Sequence, residues 1–452
     1  MTKLKPITSI AGLLLLLILT TGCTLRSLIP ASPTPVDTAT PEVTATSELE
    51  ASPLPAAATG ESLLDEPVTP EPELPIRLTL WTVAAVSTQA GGEAGDLFNR
   101  GIEAFEKTYP DIRVSVVLKN ESGKGSVADY LRTASKVAPS VLPDVVVLNV
   151  ADLAPLARSG LIVPLDELLS SALMDDLLPG ARAAGSVDEQ LMGVPFEMEV
   201  EHLIYNTNKV PSTPLVWTDV ISANTTYLFP AKGRNGLVND AFLIQYLALG
   251  GRLQDDEGGP FLDEQALQAA LEYYHQGVEA GVILPEVLNI GNPDEIWPAY
   301  VAAQVGMAHT RSQRFLSDKD VLRSTQFAAI PTRDGKPLTI GRGRALAVVT
   351  RSPERQAAAR LLIEWFVAPD NNVAWSQATS YIPTRYAAFN LIGGDDPYWP
   401  FLQSQLEVAV PSPAFPEYDQ IGRVLQQAVI EVLSGETTPE EAAAAAVDAI
   451  TP

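Results

Sequence analysis

The chain has almost no cysteine. Cys23 stands alone among 452 residues, which excludes an internal disulfide and any multi-cysteine metal site. Histidine is nearly as scarce: His202, His275 and His309 are the only three, and none falls in a metal-ligand spacing. Positive charge is short as well, with 30 Lys and Arg against 55 Asp and Glu and a net charge of −25. That balance argues against nucleic acid and against docking on an anionic lipid surface. There is no Gly-x-Ser-x-Gly elbow, and Ser122-Gly123-Lys124-Gly125 lacks the spacing of a phosphate-cradling loop. No internal repeat is visible, and nothing calls for a metal or cofactor. What is present is 46% apolar and 7% aromatic residues, the composition of a globular chain with room for two or three domains' worth of core.

The N-terminal end carries two unlike segments. Lys3 and Lys5 precede an apolar run, Ile10 to Leu19, too short to span a bilayer and matching the hydrophobic region of a secretory signal over residues 1–22. The following Thr20-Thr21-Gly22-Cys23 resembles a bacterial lipobox, with Thr20 where leucine is usual and Leu19 one place earlier. That resemblance implies lipidation of Cys23 as the mature N-terminus, and each buried acyl methylene contributes about 0.8 kcal/mol of anchoring. Residues 23–75 then turn to Pro, Thr, Ser, Ala and Glu, as in Pro33-Thr34-Pro35 and Glu71-Pro72-Glu73. Such a segment buries too little apolar surface to offset its ordering entropy and is expected to be a disordered tether, spanning roughly 40 Å as a coil.

One stretch near the middle organises the rest: Gly193-Val194-Pro195-Phe196-Glu197-Met198-Glu199-Val200-Glu201-His202-Leu203-Ile204-Tyr205-Asn206. Its alternation predicts a strand with Phe196, Met198 and Val200 on one face and Glu197, Glu199 and Glu201 on the other. Three carboxylates on one face repel and need solvent, cations or donors. At Leu203-Ile204-Tyr205 the chain turns wholly apolar. We read a strand crossing between two lobes, its acidic face lining a cleft.

Around it, strands and helices alternate. Ile76 to Trp81, Ile112 to Leu118 and Val145 to Leu148 read as strands. After a loop rich in glycine (Gly91, Gly92, Gly95), Leu97 to Tyr109 reads as a helix, followed later by Val127 to Val137 and Asp152 to Arg158. That order predicts an open, mostly parallel α/β sheet with ligand loops beyond the strand ends, at Trp81-Thr82 and Asn149-Val150. Beyond the crossing, helices are expected at Asp240 to Ala248, Glu264 to Ala280, Glu295 to Ala303, Glu354 to Ala368, Gln420 to Leu433 and Glu440 to Ile450. Strands are expected at Val305 to His309, Phe327 to Pro331 and Arg344 to Val349.

Several runs carry a family resemblance by their order and spacing: Leu78-Thr79-Leu80-Trp81; Phe105-Glu106-Lys107 with Tyr109-Pro110-Asp111-Ile112; Pro143-Asp144-Val145-Val146; Gly160-Leu161-Ile162 with Pro164-Leu165-Asp166; Gly193-Val194-Pro195; Gly306-Met307-Ala308; Ile382-Pro383-Thr384-Arg385. Together they resemble the extracellular solute-binding proteins of ABC importers, in the branch of the maltose-binding protein, over residues 76–452. The resemblance implies an α/β, two-lobed, periplasmic-binding-protein-like fold with three interlobe crossings. One lobe would hold 76–198 and about 347–397, the other about 203–344 and 403–452. It implies a small solute in the cleft, a sugar or a sugar or polyol derivative, closure by hinge motion, and delivery to ABC permease subunits by a monomer held at the outer face of the membrane.

The candidate ligand-binding residues are Trp81, Asn149, Glu199, His309, Arg311, Arg342, Tyr381 and Tyr418. Trp81 ends a strand, with core packing as the alternative. Glu199 matches the position where the family's carboxylate accepts from sugar hydroxyls; a solvated or ion-paired hinge carboxylate is the other reading. Arg342 and Arg344 lie on one face of Gly341 to Leu346, where a fork for an anion and an ion-pair ladder against the glutamates are both open. His309 and Arg311 follow the Gly306-Met307-Ala308 strand; Tyr381 and Tyr418 are aromatic platforms, while Trp297, Trp365 and Trp375 read as packing. The chain departs from the maltose-binding pattern at Leu148, Ala151 and Asp152, at Gln313 or Arg314, and at Gly422 and Arg423, so stacking faces for a malto-oligosaccharide are missing. That points to a smaller, more polar or charged solute such as a monosaccharide or polyol phosphate. Two other functions stand beside this one: a solute sensor for a signalling partner, and a surface hydrolase. Acids along one strand face are poorly disposed across a glycosidic bond, which disfavours the hydrolase.

Overall fold

In the computed structural model, residues 75–392 and 394–450 are described; the signal segment, Cys23 and nearly all of the tether lie outside them. Eleven strands run in chain order among the described residues. They are β1 (Ile76–Val83), β2 (Ile112–Lys119), β3 (Val145–Asn149), β4 (Ser186–Val187), β5 (Gln190–Leu191), β6 (Val194–Asn206), β7 (Tyr227–Leu228), β8 (Met307–Arg311), β9 (Thr325–Ala328), β10 (Thr339–Val348) and β11 (Ala409–Pro411). Nine form one sheet in the order β2-β1-β3-β10-β6-β8-β7, with β11 against β10 and β9 against β6.

The sheet is mixed, which corrects the expectation of a mostly parallel one. β1 runs parallel to β2 and β3, but β10 is antiparallel to both β3 and β6, and β6 is antiparallel to β8 and β9. The reason is that the chain returns through β10 from the far side of the molecule, instead of through a local crossover helix.

β6 belongs to both halves of the sheet. Its first part pairs with β10 from Val194 to Val200, and its second with β8 and β9 from Glu201 to Asn206. All thirteen residues are buried. Val194 and Phe196 join a core with Leu78, Leu80, Val146, Leu346 and Leu362. Leu203 and Tyr205 join a second core with Phe242, Tyr274, Met307, Ile340 and Leu425. Met198, Val200 and Ile204 pack behind the strand on Tyr398, Leu402 and Leu406 in a third cluster. The switch to a wholly apolar stretch at Leu203 is therefore the entry into a second core.

Helices mostly lie where apolar spacing places them: Val127–Val137, Asp240–Ala248, Glu264–Glu279, Pro353–Phe366, Tyr418–Ser434 and Pro439–Ile450. Three readings shift. The helix after β1 begins at Gly92, and the turn into it is made by Gly91 (φ +75°) and Gly92 (φ +51°). Gly95 sits inside that helix because a Cβ there would come 2.9 Å from the Thr88 carbonyl oxygen. The expected Glu295 to Ala303 helix splits into a 3₁₀ turn, Pro293–Glu295, and a short helix, Trp297–Val301. β9 ends at Ala328, while β8 and β10 extend beyond the expected strands to Arg311 and back to Thr339.

Candidate functional site

The three glutamates of β6 are not a solvated row. Glu197 is 1% exposed, Glu199 8% and Glu201 4%, and each meets a partner from a neighbouring strand, Glu197 from β10 and the other two from β8. The Arg344 guanidinium of β10 donates to Glu197 and also to Glu121, while the Trp375 indole N–H donates to the other Glu197 oxygen at 2.6 Å. Arg311, at the end of β8, donates to Glu199 at 3.3 Å and to Asp294 at 2.8 Å. The His309 ring, through Nε2, bonds Glu201, and Asp240 lies close enough to interact with that carboxylate. Arg342 donates twice to one Asp240 oxygen. The expected ladder of arginines against glutamates thus forms at one rung only, between Arg344 and Glu197.

Burial governs the protonation of these groups. It raises Glu197 and Glu199, with Arg344 and Arg311 pulling the other way. Burial also raises Asp240, to about 6, reinforced by the Glu201 carboxylate. Burial pushes Glu201 up, but His309 and Arg342 together with its other neighbours hold it below the usual range.

A cavity of about 260 Å³ opens over this network and is lined by Glu201, Arg234, Asp240, Arg311, Arg342 and Tyr418, among others. Tyr418 is the first residue of a helix whose Gln426 side chain anchors the opposite wall. Gln426 donates to the Ala231 carbonyl at 2.8 Å and accepts from the Asn239 backbone N–H at 3.2 Å. Gly233, at φ +74°, lets the wall loop pass over Gln426, where a Cβ would come 2.7 Å from its side-chain oxygen. Asn239 then caps the helix begun by Asp240.

Of the eight candidates, Arg311, Arg342 and Tyr418 share this cavity. Glu199 stands behind it on Arg311, and His309, 1% exposed, lies behind Glu201. Tyr381 lies beside the Arg344–Glu197 rung, its ring centroid 5.6 Å from the Arg344 guanidinium, and burial raises its hydroxyl to about 12. Asn149 sits across a small void with Glu121, Asp152 and Arg344. Trp81 is corrected: β1 continues to Val83, and the indole is 4% exposed in the first core, edge-on to Tyr130 with the Lys119 ammonium 4.4 Å over its ring. Trp375 is core as expected, yet its N–H reaches Glu197. Sequence reasoning passed over Asp240, Asp294, Glu121 and the loop Lys232-Gly233-Arg234-Asn235-Gly236; in the loop, two basic residues among glycines just before a helix cap were a usable signal. Arg314 and Gln313 point elsewhere, to the Trp297 ring and the Thr379 carbonyl.

A polar cavity over strands shared by two cores defines a two-lobed binding-protein fold. Residues 101–399 match the family model described as bacterial extracellular solute-binding protein, and the chain belongs to that family. Its structure is similar to the cyclic alpha-maltosyl-1,6-maltose binding protein from Arthrobacter globiformis (TM-score 0.69, 20% identity, 83% of this chain and 98% of that one). It is also similar to the sugar-binding protein MalE from Xanthomonas citri (0.68, 18%, 83% and 96%). A third is an ABC transporter solute binding protein from Thermotoga lettingae bound with alpha-D-tagatose (0.62, 22%, 83% and 98%). Among the described residues no helix is long and apolar enough to cross a membrane.

Proposed function

We propose that this solute-binding protein captures a small hydroxylated solute, of the sugar class, and hands it to the permease of an ABC importer without catalysis. The carrying observation is the cavity beside β6 and β10, where guanidinium, carboxylate and hydroxyl groups converge on strands that both cores share. Such mixed donors and acceptors suit hydroxyl groups, each of which both donates and accepts. Related folds named for maltose and tagatose support the same class.

The lobes on this reading are 76–198 with about 347–397, and about 203–344 with 403–452; β6, β10 and the start of the helix Tyr398–Glu407 are the hinges. Lipidation at Cys23 would hold the protein as a monomer at the outer face of the membrane, near its permease. A thermal-shift screen of the protein over mono- and oligosaccharides tests the proposal. A cognate solute at a hundredfold excess over Kd stabilises by about 2.7 kcal/mol. No shift across the panel would remove the receptor reading, and turnover of a bound solute would replace it with an enzyme.

A further inference from the structure

We propose that the solute carries a compact oxyanion, a carboxylate or phosphate ester on a hydroxylated frame, received by Arg234, Arg342, Tyr418 and Ser412. This rests on the receptor reading and narrows its substrate class.

The argument is one of charge and unused valence. The chain as a whole is strongly acidic, at −25, yet the cavity is lined by three guanidiniums, Arg234, Arg311 and Arg342, against two carboxyl groups, Glu201 and Asp240. Glu201 and Asp240 stand close enough to interact, and the Glu201 carboxylate raises Asp240 toward its neutral form. Burial raises Asp240 in the same sense. The lining is therefore net positive inside a negative protein.

The carboxylate acceptors there are engaged, Glu201 with His309 and Asp240 with Arg342. Arg311 is committed too, to Glu199 and Asp294. What remains is mostly donors. Arg234 is exposed, and no carboxylate of the described residues lies within ion-pair distance of it. Arg342 uses Nε and one Nη, leaving the other free for a ligand. The Ser412 hydroxyl is buried without a partner, and the Tyr418 hydroxyl lies close enough to Asp240 and Arg342 to feel both charges. Two guanidiniums and two hydroxyls with spare donors match an oxyanion better than a neutral sugar, whose hydroxyls would also need free acceptors.

The test is calorimetric titration of the full chain in detergent micelles with D-glucuronate, D-galacturonate, D-glucose 6-phosphate, D-glucose, D-galactose, maltose and inorganic phosphate. Binding by an acidic sugar, much tighter than by its neutral parent and weakening as salt rises, is the expected result; the uronates and the hexose phosphate separate the two anion types. Arg234→Ala should weaken that binding about ten- to a hundredfold, the share of one charge-assisted contact, with the melting temperature of the free protein unchanged. Neutral sugars binding as well as or better than the acids would overturn the inference and leave the receptor reading intact. Inorganic phosphate binding as tightly as the acidic sugars would also overturn it. Failure of every probe would count against both.

Discussion

Arg342 stands directly opposite Glu199 in the antiparallel register of β10 and β6, yet its guanidinium turns away to Asp240. Glu199 is served instead by Arg311 from β8. The strand pair brings the two residues together, and the helix beginning at Asp240 takes the cation. This exchange places Arg342 at the cavity and leaves Glu199 behind it. Glu199→Gln should accordingly keep the fold, because burial already favours the neutral carboxyl, but loosen Arg311. Affinity for a cognate solute should fall about tenfold, the scale of a charge-assisted hydrogen bond. Titration of the variant checks this, and unchanged affinity would make Glu199 a purely structural group.

Arg344 and Glu197 form the buried rung. Arg344→Met would leave Glu197, 1% exposed, without its cation, at a cost of about 3–5 kcal/mol. Adding Glu197→Gln should recover part of that loss. Denaturant unfolding of the single and double variants measures the coupling; additive losses would mean the pair contributes nothing.

Gly343 has no room for a side chain. A Cβ would meet the Glu197 carbonyl oxygen and lie 2.7 Å from the Met198 sulfur, beside the register shift between Arg344 and Ala345. Gly343→Ala should destabilise by about 1–3 kcal/mol through overpacking. A melting temperature equal to the parent's would show that the strands can separate without loss.

His202 predicts a pH dependence. Its Nδ1 lies 3.1 Å from the Leu203 carbonyl oxygen, so that nitrogen carries the proton and Nε2 accepts from the Tyr398 hydroxyl at 2.8 Å. Burial among Phe315, Tyr398 and Phe401 lowers the imidazole to about 4. Between that value and the ordinary 6.5, the unfolded chain binds more protons, so stability rises with pH across this window. Relative to His202→Gln, the parent should lose about 3 kcal/mol as pH falls from about 6.5 to about 4. Asp240 works in the opposite sense, since its raised carboxyl loses stability as pH climbs toward about 6; the difference between parent and variant isolates the histidine. A difference constant with pH would mean that the folded hinge holds a charged imidazole.

The sequence by itself determined the element types along most of the chain and the place of the crossing strand. Period-two alternation in Val194–Asn206 and helical spacing in stretches such as Val127–Val137 are local properties, and local side-chain sterics and burial are enough to express them. The order of family runs, from Leu78-Thr79-Leu80-Trp81 to Ile382-Pro383-Thr384, carried the two-lobed fold. Tertiary structure alone decided the direction of β10 and the partner of each charge. Glu197, Glu199 and Glu201 look equivalent in sequence, yet their partners are an arginine of β10, an arginine at the end of β8 and a histidine within β8. An ion pair depends on where a flexible side chain can reach in three dimensions, and the residues concerned are separated by tens to hundreds of positions, as Arg344 and Glu121 are. No local pattern can encode that choice.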